Sequence, residues 1–568
     1  MSERTHEHPH QGTAQGGIPP NMRRYAPTDE VDFVIVGSGA AGGVMARELS
    51  RKGFSVVVLE AGPWLTERDF KHDEIWVNDR AGLTNDHDLL PNTIRKKDTE
   101  TAEKGGWATY GRVVGGGSVH FTANFWRFPE LEFEQATRFG VPAGSSIADW
   151  PITYADLEPY YTKVEWEIGV SGLAGNPFEP HRSRPFPLPP LPIKSEGVLL
   201  ERGARKLGLH PWPAPMAIVS QPYRGRSGCL ACGFCFGFGC EARAKSSVLV
   251  AMIPEAVATG RCEIRPLSYV RKVESAANGR VTGVTYFDRN KKEIFQRAKA
   301  VVLSANGAET PKLLLMSATN TAPQGLANSS GEVGRNITFN GAGITAALFD
   351  HEINGWKGAV VSRVTWDQFE LPKAVGIYGG GGFDFRAATT PIAAAFNTPP
   401  GAPTWGREWK RNLRDNFSKS IAAFGHTTQL PVSSNRVDLD PTQKDAWGLP
   451  VPRLTFVEHE NDGKLQKWFT ERGKELLEAA GAKQTFEAFS GPSVGGPHLL
   501  GTCRMGKDPK TSVINADHRA HDVPNLFIVD GSSFVTSGRG QPTMTIQALA
   551  FRAADRITQL VKAGALKG

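Results

Sequence analysis

The sequence predicts an α/β + β fold: a mostly parallel sheet with helices, assembled from discontinuous chain segments, and a second lobe built on an antiparallel sheet. Three observations carry this prediction. A β-branched run, Val31-Asp32-Phe33-Val34-Ile35-Val36, ends directly in Gly37-Ser38-Gly39-Ala40-Ala41-Gly42-Gly43, and a helical stretch and a strand at 55–59 follow. Apolar strands of the same kind return at 298–303 and 525–529, which implies one sheet built from distant segments. Between about 350 and 490, turn clusters such as Gly379-Gly380-Gly381-Gly382 alternate with short strands, the pattern of an antiparallel sheet.

The first unit is a βαβ turn of the Rossmann kind. Gly37 allows the tight turn, Gly39 lets the backbone approach a pyrophosphate, and Gly42 lets the helix pack closely on the strand, with the helix N-terminus facing the phosphates. Glu60 ends the second strand, eighteen residues beyond Gly42, and is placed to accept hydrogen bonds from a ribose 2′-hydroxyl. The motif alone does not separate FAD from NAD. A second glycine-rich loop, Gly115-Gly116-Gly117-Ser118-Val119-His120, suggests a backbone lying against a flat or phosphorylated ligand. The strand at 298–303 runs into a turn and a helix at 309–317, and the strand at 525–529 ends in Asp530-Gly531. Gln541-Pro542-Thr543 opens a last helix, in which Ile546, Leu549, Ala550, Ala553, Ile557 and Leu560 recur with helical period.

The chain has 568 residues, with 65 Lys and Arg against 58 Asp and Glu for a net charge of +7, and 40% hydrophobic residues. This excludes a small disulfide scaffold and a wholly disordered chain, and at roughly 150 residues per domain it allows a large core around a buried cofactor. No run of about 18 uncharged apolar residues occurs, so no transmembrane segment is expected. The positive surplus is spread along the chain with no Lys/Arg block, so nothing points to a nucleic-acid partner. Residues 1–30, with His6, His8 and His10 and no apolar core, read as a mobile leader without an export signal.

Four of the six cysteines fall within twelve residues as Cys229-x2-Cys232-x2-Cys235-x4-Cys240. The first two intervals match the bacterial ferredoxin run, in which close thiolates converge on iron. The last is one residue longer, and Glu241 rather than Pro follows Cys240. An iron–sulfur cluster is the leading expectation; a four-cysteine zinc site, disulfides and free thiols are the alternatives. Cys262 and Cys503 stand alone and are expected to be buried and inert.

Several further motifs are specific in combination. They are Gly111-Arg112-Val113-Val114-Gly115-Gly116-Gly117-Ser118, Ser304-Ala305-Asn306-Gly307-Ala308-Glu309-Thr310-Pro311, Val333-Gly334-Arg335-Asn336 and His498-Leu499-Leu500-Gly501-Thr502-Cys503-Arg504-Met505-Gly506. Through these, the Gly37 to Gly42 fingerprint with Glu60, and Asp530-Gly531, nearly the whole chain resembles the glucose-methanol-choline (GMC) oxidoreductases. It looks most like the large flavoprotein subunits of bacterial fructose, glucose and gluconate dehydrogenases, which share Gly325-Leu326-Ala327-Asn328-Ser329-Ser330 and a cysteine-rich insertion.

The resemblance implies FAD held by Gly37, Gly39, Gly42, Glu60, Gly116, Ser118, Asp530 and Gly531, and oxidation of a sugar or polyol CH–OH with His498 as the base. It places His120 beside the flavin, packed against the ring or covalently bonded to it. It also implies a three-iron or four-iron cluster at Cys229, Cys232, Cys235 and Cys240, a small partner subunit carrying the export signal, and a cytochrome c as electron acceptor. With such a partner the enzyme is expected on the periplasmic side, and otherwise in the cytoplasm. Two positions depart from the family pattern: Gln541 stands where His or Asn usually precedes Pro-Thr, and no Asp-His follows Asn336.

Oxidising an alcohol at a flavin needs a base for the hydroxyl proton and a hydrogen-bond partner for the oxygen, while hydride leaves for flavin N5. A histidine, titrating ordinarily near about 6.5, suits the first role, and the turn Gly495-Gly496-Pro497-His498 presents an imidazole rigidly. Gln541 can orient the oxygen but cannot serve as a base, so proton removal is assigned to His498. The helix after Gln541 aims its positive end at the flavin pyrimidine.

The expected division is a leader at 1–30, a flavin domain at 31–160, 241–345 and 491–568, a connecting segment at 161–228, the cysteine cluster at 229–240 and a substrate lobe at 346–490. Trp356, Trp366, Trp405 and Trp409 in that lobe either offer sugar-stacking faces or pack in its core, with nothing to choose between the two. Two other functions fit the same residues: an oxygen-using oxidase with structural cysteines, and a non-catalytic electron-transfer or redox-sensing flavoprotein.

Overall fold

The computed structural model describes residues 17–79, 81–387, 390–396 and 399–564; the start of the expected leader, with its three histidines, lies outside them. The strand Val31–Val36 pairs in parallel with Val56–Leu59 on one side and with the end of Glu293–Leu303 on the other, Val36 lying opposite both Leu59 and Leu303. Cys262–Arg265 extends the sheet beyond Val56–Leu59, and Leu526–Ile528 pairs in parallel with Glu293–Leu303. An antiparallel meander, Tyr269–Ser275 and Val281–Phe287, joins through the first half of Glu293–Leu303 and completes seven strands. The sheet is thus assembled from distant segments, as the returning apolar runs imply.

The central parallel strands, Val31–Val36, Val56–Leu59 and the end of Glu293–Leu303, form because each is an apolar run rich in valine and buried on both faces. Phe33, Val34, Ile35, Val56, Val57, Val58, Val301, Val302, Phe527 and Ile528 are fully buried, and each such side chain contributes about 1.5–3 kcal/mol on burial. The helix Ala40–Arg51 turns Val44, Met45 and Leu49 inward and packs against the closing helix Thr543–Lys562. The helix Tyr154–Ile168, opened by a Thr153/Asp156 capping box, packs on the same closing helix.

The lobe is a six-stranded antiparallel sheet in the order Gln484–Pro492, Gly341–Leu348, Ser420–Thr427, Gly381–Ala387, Arg363–Thr365, Trp212–Pro213. The helix Glu460–Ala480 covers one face, its Leu465, Phe469, Leu476 and Leu477 packing on Phe383, Phe385, Ile421 and Ala423. Because side chains alternate along a strand, Asp384, Arg386, Phe424 and His426 must lie on the opposite face.

The lobe differs from the expected 346–490 unit in two respects. It starts at Gly341 and borrows Trp212–Pro213, whereas Arg436–Lys444 and Pro450–Thr455 leave it for a small sheet with Asn92–Arg95 and Glu103–Gly105. Among the described residues, no helix is long and apolar enough to cross a membrane.

Candidate active site

The carboxyl ends of the parallel strands and the uncovered face of the lobe enclose a cavity of about 660 Å³. At one end lies the glycine cradle. Gly37 has φ 92°, and a Cβ there would stand 2.4 Å from Ser304 O, so only glycine makes this turn. A Cβ on Gly42 would stand 2.0 Å from Gly37 O, so the first helical turn lies directly against the loop it follows. Gly39 and Gly116 meet back to back, a Cβ on Gly116 falling 2.7 Å from Gly39 Cα. The helix Ala40–Arg51 begins without a side-chain cap or an acid in its first turn, which leaves its N–H groups for an anion.

The polar residues expected to hold the cofactor line the cavity and also brace the cradle. Glu60 Oε2 accepts from Ser38 N (3.0 Å) and Ser38 Oγ (2.7 Å), and Oε1 accepts from Gly62 N (2.9 Å). Ser38 Oγ in turn accepts from Gly115 N (3.1 Å), tying the fingerprint to the second loop. Ser118 Oγ donates to Gly115 O (2.7 Å) and accepts from Val248 N (3.1 Å). Asp530 Oδ2 accepts from Asn306 N and Thr310 Oγ1, and Oδ1 accepts from Ser532 N and Oγ. Burial pushes both carboxyls above their ordinary values in spite of these donors. Ser38, which no motif singled out, is the joint of this network.

The other end is built from side chains. His498 Nδ1 lies 3.1 Å from Asn340 Oδ1, while Asn340 Nδ2 donates to Ser537 O and Gly538 O at 3.0 Å each. Two carbonyl acceptors fix which way the Asn340 amide points, so Oδ1 receives a proton from His498 Nδ1 and the Nε2 lone pair stays open. Burial, with smaller help from His426 and Arg386, pushes the His498 ring down to about 3, so it is neutral at ordinary pH.

His426 faces the same cavity and escaped the sequence reading. Its Nε2 lies 2.8 Å from Asp384 Oδ2, and Gln541 Nε2 lies 3.4 Å from both ring nitrogens. Register explains the group: His426 pairs with Gly382 and Phe424 with Asp384, so His426 and Asp384 are diagonal neighbours on one face. Arg386, two residues on, chelates the same carboxylate through Nε (2.7 Å) and Nη2 (3.0 Å). Burial alone would raise the Asp384 carboxyl, but Arg386 and His426 outweigh it and hold it at about 2. The one sequence signal was a polar residue inside a strand whose alternate positions are apolar.

Three other expectations fare differently. His120 does line the cavity; its buried Nε2 has no partner, and burial with Lys245 nearby pushes the ring down to about 4. The tryptophans do not reach the cavity: Trp366 is core, packed on Trp126 and Phe369, and Trp405 is 83% exposed. Phe121, Phe236 and Phe424 supply aromatic wall instead.

The four cysteines do not assemble into a metal-ligating group, and no such group of His, Cys, Asp or Glu occurs among the described residues. Cys232 is exposed, and burial pushes the Cys235 thiol up to about 11. The loop is organised around Lys245 instead: its buried Nζ donates to Phe121 O, Cys235 O and Phe238 O, so loop carbonyls surround an ammonium. The residues in this arrangement do not fit an iron–sulfur cluster or a four-cysteine zinc site. All six cysteines are free, and Cys262 and Cys503 are buried with thiols pushed up by burial.

The cradle, by contrast, fits a dinucleotide: bare backbone at Gly39 and Gly116, an uncapped helix start and one long cavity. The amino-terminal domain of GMC oxidoreductases matches residues 31–341 and the carboxy-terminal domain 431–550. The chain belongs to this family, FAD-dependent oxidoreductases acting on alcohol- or sugar-type substrates.

It is 35% identical over 543 residues to 2-methyl-1,2-propanediol dehydrogenase of Mycolicibacterium austroafricanum, covering 94% of this chain and 96% of that one. It is 30% identical over 568 residues to the fructose dehydrogenase large subunit of Gluconobacter japonicus, covering 94% and 99%. The fold matches the crystal structure of pyridoxine 4-oxidase from Mesorbium loti with TM-score 0.63 and 19% identity, covering 93% of this chain and 99% of that one.

Proposed function

We propose that the protein is a dehydrogenase that oxidises a CH–OH of a sugar or polyol to a carbonyl, with His498 removing the hydroxyl proton. The observation that carries this is the Asn340–His498 pair, which leaves an unprotonated Nε2 on the cavity wall. FAD, when bound, would supply a two-electron acceptor for the carbon-bound hydrogen. The loops at Gly37 to Gly42 and Gly115 to Ser118 hold it through backbone, and Gly531 and the uncapped start of Thr543–Lys562 lie along the same cavity. Asn340 keeps His498 in the tautomer that can accept, and the low pKa keeps it unprotonated until substrate arrives.

Likeness to two relatives named dehydrogenases supports an acceptor other than oxygen. We further propose a small partner subunit and a cytochrome c acceptor, which would place the enzyme on the periplasmic side. An iron–sulfur relay at Cys229 to Cys240 rests on the cysteine spacing alone. Iron and acid-labile sulfide per flavin, on anaerobically purified protein, decide it; three or four of each would mean the loop rearranges around a cluster.

Anaerobic stopped-flow reduction of the flavin by a polyol tests the main reading. His498→Ala is expected to slow it on the order of 10²- to 10⁴-fold with flavin content unchanged. Equal rates in the two proteins would refute the assignment, and faster turnover with oxygen than with an artificial acceptor would favour an oxidase.

A further inference from the structure

The catalytic end carries more hydrogen-bonding capacity than removal of one proton requires. Asp384 accepts from Arg386 Nε and Nη2, from Asn124 Nδ2 (2.9 Å) and from His426 Nε2. His426 Nε2 lies 3.2 Å from Arg386 Nη2, which only donates, and 2.8 Å from Asp384 Oδ2, which only accepts; the shorter contact, to the anion, puts the proton on Nε2 and leaves the Nδ1 lone pair free. The Gln541 amide nitrogen lies over that ring, 3.4 Å from both of its nitrogens, which turns Gln541 Oε1 away from it. Neither Gln541 Oε1 nor Arg386 Nη1 has a partner among the described residues, and neither atom is sealed from the cavity that both residues line with His498. The Arg386 guanidinium lies 4.0 Å from the Phe424 ring centroid, which holds it in place.

We propose that Gln541 Oε1 and Arg386 Nη1 form an acceptor and donor pair that reads a second hydroxyl beside the reacting carbon, so that the enzyme selects neutral vicinal diols and polyols. The inference rests on the reading of His498 as the base and names the substrate class of that site. A hydroxyl gives its proton to Gln541 Oε1 and accepts from Arg386 Nη1 with one atom, which a methyl group cannot do. A carboxylate could accept from Arg386 but would set its lone pairs against Gln541 Oε1. It would also gain no net charge, because Asp384 already neutralises the guanidinium. Asp384 and His426 are positioning residues here: the first orients Arg386, the second the Gln541 amide.

The test compares anaerobic flavin reduction by propane-1,2-diol, propan-1-ol and glycolate. The expected result is a kcat/KM for the diol on the order of ten- to a hundredfold above that for propan-1-ol, with glycolate below the diol. In Arg386→Met and in Gln541→Met the ratio of diol to mono-alcohol is expected to fall toward one, mainly through KM. Arg386→Met leaves a buried carboxylate without its cation, so thermal melting and flavin content accompany it; Gln541→Met, similar in volume and uncharged, keeps the test alive if that variant does not fold. Equal efficiency on diol and mono-alcohol in the unmodified enzyme, with reduction still lost in His498→Ala, would overturn this inference alone. So would a preference for glycolate, or a diol preference that survives Gln541→Met. Reduction by none of the three compounds would overturn the reading of His498, and this inference with it.

Discussion

The two ends of the cavity are built by opposite means. The cradle is made of backbone: glycines spaced within a few residues, braced by Glu60, Ser118 and Asp530, whose side chains bond within the protein where they border the cavity. The catalytic end is made of side chains from five separate places, Asn340, Asp384 with Arg386, His426, His498 and Gln541, and each is oriented by another. A backbone site is set by local chain geometry and fails all at once when a Cβ intrudes. A side-chain site is set by pairing across the fold and degrades by steps as partners are removed.

The largest effect expected from this contrast is at Gly37. Gly37→Ala forces a methyl group onto Ser304 O in a left-handed backbone conformation, so the purified protein should lack flavin, read from its visible absorbance. A variant that keeps full flavin would show that the cradle yields more than its contacts suggest.

A graded response is expected at Asn340. Asn340→Asp still accepts from His498 Nδ1 but cannot donate to Ser537 O and Gly538 O, and its negative charge favours the imidazolium. The acid limb of kcat/KM, which should lie far below pH 6 in the unmodified enzyme because the ring is held at about 3, should move upward, with a rate loss on the order of tenfold. A profile that does not move would separate the base from Asn340.

The smallest effect concerns stability and falls on the cradle side. His518 is fully buried, with Nδ1 2.9 Å from Ile528 O, and burial pushes its ring from 6.5 down to about 4. Between these values the unfolded chain binds the proton and the folded one does not. Stability therefore declines as pH falls through 6.5 toward 4, by up to about 1.4 kcal/mol per pH unit for this group. Thermal melting at pH 7.5, 5.5 and 4.5 should show the decline, and His518→Gln should reduce it.

The same contrast governs what could be read from the sequence. The strand Val31–Val36, its glycine turn and the closing helix Thr543–Lys562 were legible because their signals lie within one element. His498 was legible through the motif around it, and the structure adds the Asn340 partner, 158 residues away. His426 and Asp384 were not, because their meeting depends on the register of two strands that nothing local specifies. The cysteine spacing was legible, but spacing alone carries no information about Lys245, whose ammonium draws the loop carbonyls inward. The tryptophans left two readings open because an aromatic at a strand end, such as Trp366 against Trp126, serves a core as readily as a ligand.

Asn340 sits at the first joint between the two architectures, immediately before the lobe strand Gly341–Leu348, while its amide grips the segment leading into Gln541. The seam along which one would cut to exchange substrate lobes between relatives therefore runs through the residue that sets the proton on His498. A chimaera joined on the lobe side of Asn340 inherits the recipient's base chemistry with the donor's recognition face, whereas a joint placed before it transfers both together.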